Sequence, residues 1–318
     1  MRNRHRTTSL AVALTALPLA LAACGGDGGD NGAGGELSGS IRTDGSSTVG
    51  PLTEAAAETF QGENPGVRVT VGTSGTGGGF EKFCAGETDV SNASRPIKDD
   101  EEVPICKKAG VEYQEVQVAN DGITLVVHPD NDWADCLTVD QLERIWAKGS
   151  DVKSWRDVDP SFPDEELKLF GAGTDSGTFD FFTEEINGEE GNSRTDYNAT
   201  EDDNVTVQGV AGSKGGLGYY GLEYAEQNRD KNKKVAVDAG QGCVEPTKET
   251  VQSGRYRPLS RPLFVYPSKK ALGRPEVKAF LDFYVQNATE LADQAQFVPL
   301  TEEQRTRARE ALGSLTGS

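Results

Sequence analysis

Residues 171–182, G-A-G-T-D-S-G-T-F-D-F-F, combine glycines, hydroxyl and carboxylate side chains and an aromatic half in one short segment. The segment follows the apolar residues 167–170, and this order predicts a strand, a tight polar loop and then a helix. The residue types that cap helix N-termini occur in it at Thr174, Asp175, Ser176 and Thr178. Because a helix start presents free N–H groups, the segment is typical both of an ordinary capped helix and of an anion-binding site.

The same order of strand, polar loop and helix occurs twice more near the beginning of the chain. Residues 41–50, I-R-T-D-G-S-S-T-V-G, precede a stretch of helix formers with apolar residues at helical spacing. Residues 67–72, V-R-V-T-V-G, alternate as a strand does and lead into T-S-G-T-G-G-G-F-E-K-F at 73–83. The second loop lacks the G-K-[ST] of a Walker loop and the Rossmann pattern, and by itself it also fits a flexible turn.

Strand-like and helix-like segments alternate along the chain, which predicts an α/β fold with mostly parallel sheets. Residues 113–127 form two extended runs broken at Asn120-Asp121-Gly122, and residues 261–266 form another apolar strand. We therefore expect two crossing strands that join an inserted domain, 122–258, to a domain built from 37–121 and 259–318. Ligands of α/β folds bind at the carboxyl ends of strands, so the three polar loops are expected to face a cleft between these domains.

Three further local predictions concern the inserted domain. Residues 138–147 are predicted to form an amphipathic helix capped by Thr138. Residues 224–234 are predicted to form a charged helix. The indole rings of Trp146 and Trp155 are expected in the hydrophobic core rather than at a ligand.

The acidic composition excludes some classes of partner. The 318 residues carry a formal net charge of −19, which argues against nucleic acid and against direct contact with an anionic membrane surface. The length is sufficient for two domains with hydrophobic cores. A small anion in a buried site is still compatible with this charge, because local dipoles govern binding there.

The first 36 residues predict export and attachment to a membrane. Residues 1–23 begin with a basic stretch and continue into an apolar run that is too short to span a bilayer. They end in L-A-A before Cys24, which resembles a bacterial lipobox, so we expect a lipoprotein signal peptide and lipidation of Cys24 on the extracytoplasmic face of the cell membrane. Residues 24–36 are then the lipidated cysteine and a Gly-rich flexible tether. A plain secretory signal is the alternative.

Four further cysteines follow the leader, and an even number in an exported chain predicts two disulfides. They are Cys84, Cys106, Cys136 and Cys243, and three pairings are open. No C-x-x-C occurs and His128 is the one histidine after the leader, so neither a zinc site nor a cofactor is expected. A calcium site at residues 201–203 would lack the EF-hand spacing.

Six segments together resemble the phosphate-binding subunit of bacterial phosphate ABC importers, over residues 40–290. In chain order they are D-G-S-S-T-V-x-P-L-T-E-A, S-G-T-G-G-G-F-x-K-F, N-A-S-R-P-I, G-T-D-S-G-T-F-D-F-F, E-D-D-N-V-x-V-Q-G-V and L-S-R-P-L-F-V-Y. The resemblance implies a two-domain periplasmic-binding-protein fold of type II with two hinge strands. It also implies hinge closure around inorganic phosphate and delivery to a membrane permease. We expect a monomer.

The resemblance also implies a set of phosphate-binding residues. Those in the three loops are Ser47, Thr48 and the N–H of Val49, then Ser74, Gly75 and Thr76, and finally Ser176, Gly177 and Thr178. The family commonly uses one Arg as well, and in some members it precedes the S-G-T triplet, where this chain has G-A-G. Arg95 is the expected substitute. Asp175 is the expected carboxylate that accepts the phosphate O–H, with Asp121 as a second choice.

Three other functions are compatible with parts of the pattern. A phosphatase or esterase could use Ser176 or Ser74, but it needs a base, and His128 precedes Pro129 in a chain without a G-x-S-x-G elbow. A phosphate-sensing signalling protein would use the same binding fold. Tungstate, molybdate or phosphonate binders would also share the fold, because a fold alone does not determine the ligand. The prediction is selective phosphate capture without catalysis.

Overall fold

The structure is a computed structural model in which residues 36–314 are described. The predicted signal peptide, the lipidation site Cys24 and the tether up to residue 35 lie outside the described residues. Within residues 36–314, none of the helices has the length and apolar character needed to cross a membrane.

Strands and helices alternate from the start of the described chain to residue 267, and helices follow. The strands are β1 (Gly39–Gly45), β2 (Val67–Val71), β3 (Val90–Ala93), β4 (Val116–Val127), β5 (Cys136–Thr138), β6 (Lys168–Ala172), β7 (Asn198–Thr200), β8 (Gly216–Gly221), β9 (Lys233–Asp238), β10 (Cys243–Val244) and β11 (Ser260–Pro267). The helices are α1 (Gly50–Glu63), α2 (Gly75–Cys84), α3 (Glu102–Ala109), α4 (Val139–Trp146), α5 (Trp155–Val158), α6 (Gly177–Asn187), α7 (Asp203–Ala211), α8 (Leu222–Gln227), α9 (Lys248–Gln252), α10 (Lys269–Leu272), α11 (Pro275–Gln286), α12 (Ala288–Gln294) and α13 (Glu302–Ser314).

The strands form one extended sheet in the order β2-β1-β3-β11-β4-β8-β6-β7, and β9 lies beside β4 and pairs with β5 and β10. Neighbours are parallel in the outer parts, between β1, β2 and β3 and between β6, β7 and β8. They are antiparallel where β11 and β4 join these parts. The expectation of mostly parallel sheets therefore holds only for the outer parts, because the chain enters and leaves the centre of the sheet in opposite directions.

Strand β4 is continuous from Val116 to Val127, so the predicted break at residues 120–122 is wrong. Its first half pairs with β11 and its second half with β8, so hydrogen-bonded pairing continues through the predicted break. The polar side chains in the middle also have partners. Asn120 bonds to Gln304 and Asp121 to Arg261. These tertiary contacts allow a sequence typical of a turn to remain extended.

Two large hydrophobic clusters lie on the two parts of the sheet. One is built from residues between 41 and 119 and between 263 and 312. The other is built from residues between 123 and 259, together with Val298. Strand β4 contributes to both, with Val118 in the first cluster and Leu125 in the second. The domain boundaries given above remain a prediction.

The local predictions for the second cluster have mixed outcomes. The helix capped by Thr138 is confirmed as α4, where Thr138 and Gln141 form a capping box. Trp146 and Trp155 are fully buried in the core, as predicted. The helix predicted over 224–234 is wrong in its second half, because α8 ends at Gln227 and β9 begins at Lys233. The buried, alternating Val235 and Val237 stabilise a strand there.

Two disulfides are present, as predicted, and the open question of pairing is answered. Cys84 bonds to Cys106, and Cys136 bonds to Cys243. The first joins the end of α2 to α3. The second joins β5 to β10, which both pair with β9.

Candidate functional site

A cavity of about 540 Å³ lies where the loops before α1, α2 and α6 meet the first residues of β11. It is lined by residues 46–48, 74–78, 94–96, 98, 177, 180–181, 184–185, 190 and 260–262. Of the predicted phosphate-binding residues, those that line it are Ser47, Thr48, Ser74, Gly75, Thr76, Arg95 and Gly177. Those that do not are Val49, Asp175, Ser176 and Thr178. A larger cavity of about 700 Å³ beside the Cys84–Cys106 disulfide contains none of these residues.

The loop before α1 is held in shape by Ser46. Its Oγ accepts hydrogen bonds from the N–H groups of Thr48 at 3.2 Å and Val49 at 3.4 Å. The Val49 N–H is thus engaged inside the loop, and its predicted contact with phosphate remains a prediction. The side chains of Ser47 and Thr48 line the cavity.

The loop before α2 is held by a carboxylate. Oδ1 of Asp44 accepts from both the N–H and the Oγ of Ser74, at 3.0 and 2.5 Å, while Oδ2 binds Nζ of Lys82 at 2.6 Å. Burial acts to raise the pKa of Asp44, but these hydrogen bonds outweigh it and leave the pKa below its ordinary value. Since Ser74 donates to Asp44 rather than capping α2, the first N–H groups of this helix have no side-chain cap.

Arg95 lines the cavity, but a carboxylate already binds it. Its Nη2 lies 2.6 Å from Oε1 of Glu102, and its Nη1 lies 3.0 Å from Oε2. Burial raises the pKa of Glu102, but the Arg95 hydrogen bonds and the N–H of Lys98 dominate and lower it overall. Arg95 can bind an anion with its remaining donors or by exchanging this partner, and its predicted role remains a prediction.

The loop before α6 presents its backbone rather than its side chains to the cavity. Oγ of Ser176 caps the helix by accepting from the Thr178 N–H at 3.2 Å. Asp175 is exposed, and its N–H donates to Glu201 at 3.3 Å. Gly177 lines the cavity, and its carbonyl oxygen accepts from Oγ1 of Thr48 at 3.5 Å.

Arg261 is a candidate residue that the sequence analysis missed. It is the third residue of the segment L-S-R-P-L-F-V-Y, which was interpreted as an apolar strand and as part of the family resemblance, with no role for its Arg. In the β4–β11 ladder Arg261 lies opposite Asp121, and its Nε donates to Oδ2 of Asp121 at 3.1 Å. Asp121 therefore binds a cation and does not line the cavity. The signal was an Asp in the middle of one crossing strand and an Arg at the start of the other, but their pairing depends on the strand register.

One wall of the cavity is acidic. It contains Asp180, Glu184 and Glu185 of α6 and also Glu190. Burial, together with the nearby charges of Glu190 and Glu184, raises the pKa of Asp180 to about 6, and Arg261 opposes this shift. Burial also raises the pKa of Glu185. Among the carboxylates that line the cavity, Asp180 is the one nearest in sequence to the start of α6. The predicted Asp175 is not part of the lining.

The cavity combines the starts of α2 and α6 and the loop that leads into α1 with small hydroxyl groups and guanidinium groups. Such an arrangement binds a compact oxyanion, because N–H groups and helix dipoles stabilise negative charge. The ring of His128 does not line the cavity, and its Nδ1 accepts from the N–H of Asp130 at 3.0 Å. Among residues 36–314, no group of three or more His, Cys, Asp or Glu side chains is arranged to hold a metal ion.

Comparisons with known proteins agree with this geometry. A model of the PBP superfamily domain matches residues 31–288. Protein SphX of Synechococcus elongatus is 45% identical over 277 residues, which cover 86% of this chain and 81% of SphX. The phosphate-binding protein PstS of Staphylococcus saprophyticus is 44% identical over 301 residues, which cover 94% of this chain and 92% of PstS.

A solved structure is similar over almost the whole described chain. It is the crystal structure of a possible phosphate-binding protein from Planctomyces limnophilus, with a TM-score of 0.84 and 48% identity, covering 88% of this chain and 99% of that one. The predicted periplasmic-binding-protein fold is confirmed, and so is the family resemblance. The chain belongs to the PBP superfamily, in the family of the phosphate-binding proteins PstS.

Proposed function

We propose that this protein captures inorganic phosphate in the 540 Å³ cavity and delivers it to the permease of an ABC importer. The observation that carries the proposal is the convergence on this one cavity of the starts of α2 and α6 and of the loop that leads into α1. Each helix start contributes roughly 0.3–1 kcal/mol toward an anion, and up to about 2 kcal/mol where it is partly buried. Charge-assisted hydrogen bonds from N–H and O–H groups add to this.

The donors proposed here follow the lining of the cavity. Hydroxyl groups come from Ser47, Thr48 and Thr76, and backbone donors come from the start of α2 at Gly75. The α6 start contributes through Gly177. Ser74 and the N–H groups of Val49 and Thr178, which the resemblance also predicts, would need to exchange their present acceptors to donate to phosphate. Ser176, also predicted, only accepts in its present bond, and it does not line the cavity.

A carboxylate in an anion site is explained by the proton of phosphate. Near neutral pH phosphate keeps at least one O–H, which a carboxylate can accept, whereas fully ionised sulfate has none. A site that requires such a hydrogen bond rejects the analogue without it by about 10⁴–10⁵. The resemblance favours Asp175 for this role, and the cavity lining favours Asp180.

Several finer statements belong to the same proposal. The protein acts as a monomer, anchored to the cell membrane by lipid on Cys24 and reaching the permease on its Gly-rich tether. Two domains close around the anion at the crossing strands β4 and β11. One domain consists of residues 37–121 and 259–318, and the other of residues 122–258. In this proposal the protein binds and releases phosphate without hydrolysing phosphoesters.

Calorimetric titration of the purified protein, after exhaustive exchange to remove retained anion, tests the proposal. Phosphate is expected to bind at one site with high affinity, and sulfate at the same ionic strength is expected to give no measurable heat. A chromogenic phosphate ester should not be turned over. Absence of phosphate binding, or equal affinity for the two anions, would contradict the proposal.

A further inference from the structure

Arg261 occupies the point where the two crossing strands meet the cavity. It lies opposite Asp121 in the β4–β11 ladder, and the two side chains are 11% and 10% exposed. A buried ion pair of this kind is costly to desolvate, and an apolar pair of similar volume often stabilises a fold as well or better. The fold therefore gives no evident reason to hold a cation at this position.

The guanidinium group of Arg261 contacts both sides of the cavity. Its Nη2 donates to Oγ1 of Thr48 at 2.8 Å and to the carbonyl oxygen of Gly177 at 3.3 Å. Its central carbon lies 3.7 Å from the centre of the Phe181 ring, so the planar group stacks on an aromatic face. These contacts, with Nε on Asp121, fix the plane and position of the group.

One nitrogen of the group is left over. Within residues 36–314, Nη1 of Arg261 has no hydrogen-bond partner, although the residue lines the cavity. Nη1 is also not fully buried. Arg95 differs in this respect, because both of its Nη atoms bind Glu102.

The contact with Thr48 has a second effect. Because Nη2 of Arg261 donates to Oγ1 of Thr48, the hydroxyl proton of Thr48 must point elsewhere. Its protein acceptor is the carbonyl oxygen of Gly177 at 3.5 Å, which is a long contact. An oxyanion in the cavity would be a better acceptor for this proton.

We propose that Arg261 is an anion-contacting residue of the phosphate site, which donates from Nη1 to the bound oxyanion and turns Thr48 into a hydrogen-bond donor. The inference rests on the proposed function and adds to it the residue that carries positive charge to the anion at the crossing strands. Asp121 and Phe181 are positioning residues for this group. The positive charge of Arg261 favours doubly over singly charged phosphate, whereas the carboxylates that line the same cavity, Asp180, Glu184, Glu185 and Glu190, act in the opposite direction.

The test compares Arg261→Gln and Arg261→Lys with the parent protein by phosphate titration at several pH values across the second ionisation of phosphate. Arg194→Gln is the control. The side chain of Arg194 is 5% exposed and pairs with Asp196, and Arg194 does not line the cavity. Arg261→Gln is expected to lower phosphate affinity by about 10- to 100-fold, as for a lost charged hydrogen bond, and to lose more affinity for doubly than for singly charged phosphate, which changes the pH dependence relative to the parent. Arg261→Lys should keep the pH dependence while losing part of the affinity, because it keeps the charge but not the planar fork. Arg194→Gln should lower the midpoint of urea unfolding without changing affinity or its pH dependence.

The outcomes separate the two proposals. If the parent binds phosphate and Arg261→Gln binds it within about twofold, or more weakly but with the parent's pH dependence, Arg261 does not contact the anion. If Arg261→Gln does not fold, Arg261→Lys decides, and a pH dependence that differs from the parent's in that charged variant would overturn the inference. If the parent itself does not bind phosphate, the proposed function fails and the inference fails with it.

Discussion

The carbonyl oxygen of Gly177 lies 3.5 Å from Oγ1 of Thr48, although the two residues are 129 positions apart in the chain. The start of α6 thereby contacts the loop before α1 at the cavity. A side chain at position 177 has no room, since a Cβ there would lie 2.5 Å from Oγ1 and 3.0 Å from the backbone nitrogen of Thr48. Close approach of the two backbones therefore depends on glycine at this position.

Gly177→Ala is expected to separate these two segments and to weaken phosphate binding by roughly tenfold or more, about 1.4 kcal/mol. The free energy of unfolding should change little. The cost of the clash is offset by the preference of a helix for alanine over glycine, which is up to about 1 kcal/mol. Gly62→Ala in α1 is the control, since a Cβ there would meet nothing within 4 Å. Titration calorimetry on both variants decides, and equal affinity in the two would contradict the expected clash.

Arg95→Ala is expected to weaken phosphate binding by at least about tenfold, as for a lost charged hydrogen bond. It also removes the partner of Glu102, which is 6% exposed, so the variant should unfold at lower urea concentration. The double variant Arg95→Ala/Glu102→Gln should regain stability but not affinity, because the unpaired carboxylate is gone while the cavity still lacks the cation. Restored affinity in the double variant would assign the loss to the charge of Glu102 instead.

Asp180→Asn and Asp175→Asn together identify the carboxylate that distinguishes phosphate from sulfate. We expect Asp180→Asn to reduce the ratio of phosphate to sulfate affinity, because Asp180 lines the cavity. Asp175→Asn should leave the ratio nearly unchanged, because Asp175 is exposed outside that lining. Competition titrations with the two anions measure the ratio, and a loss confined to Asp175→Asn would support the assignment made from the sequence.

The raised pKa of Asp180 also predicts a pH dependence of stability. Its folded-state pKa of about 6 lies above the ordinary value of 3.8, owing to burial and to the charges of Glu190 and Glu184, with Arg261 acting in the opposite direction. Between these two pH values the native state binds more protons than the unfolded chain, so the contribution of Asp180 to stability falls as pH rises.

Asp180→Asn should consequently be more stable than the parent at pH 8, with the difference disappearing below about pH 4. Urea unfolding at both pH values measures this, and Asp175→Asn serves as the exposed control. The same gain in stability at pH 4 and pH 8 would show that the effect does not arise from this ionisation.

The sequence was sufficient to predict the parts of the site that depend on local chemistry. The starts of α2 and α6 follow from short Gly/Ser/Thr loops after strands, and the α/β class follows from the alternation of segments. The helix α4 follows from an apolar pattern at helical spacing with Thr138 as its cap, which local sequence encodes directly. The prediction that the ligand is phosphate rested only on the resemblance of six segments to a known family.

Features that depend on distant partners could not be predicted in this way. Arg261 was missed because its pairing with Asp121 follows from the register of two strands 140 residues apart. The false break in β4 has the same origin, since the partners of Asn120 and Asp121 come from other parts of the chain. The position of Asp180 in the cavity wall could not be predicted either, because it depends on the direction in which α6 runs from its loop.

The continuity of β4 has a consequence for how the molecule loses its structure. One uninterrupted strand supplies Val118 to one hydrophobic cluster and Leu125 to the other, within a single hydrogen-bonded ladder. Melting of either cluster would leave half of this strand without a packed face, so neither half is expected to persist alone. Heating should then produce one cooperative transition whose calorimetric and van't Hoff enthalpies agree, rather than two separate steps.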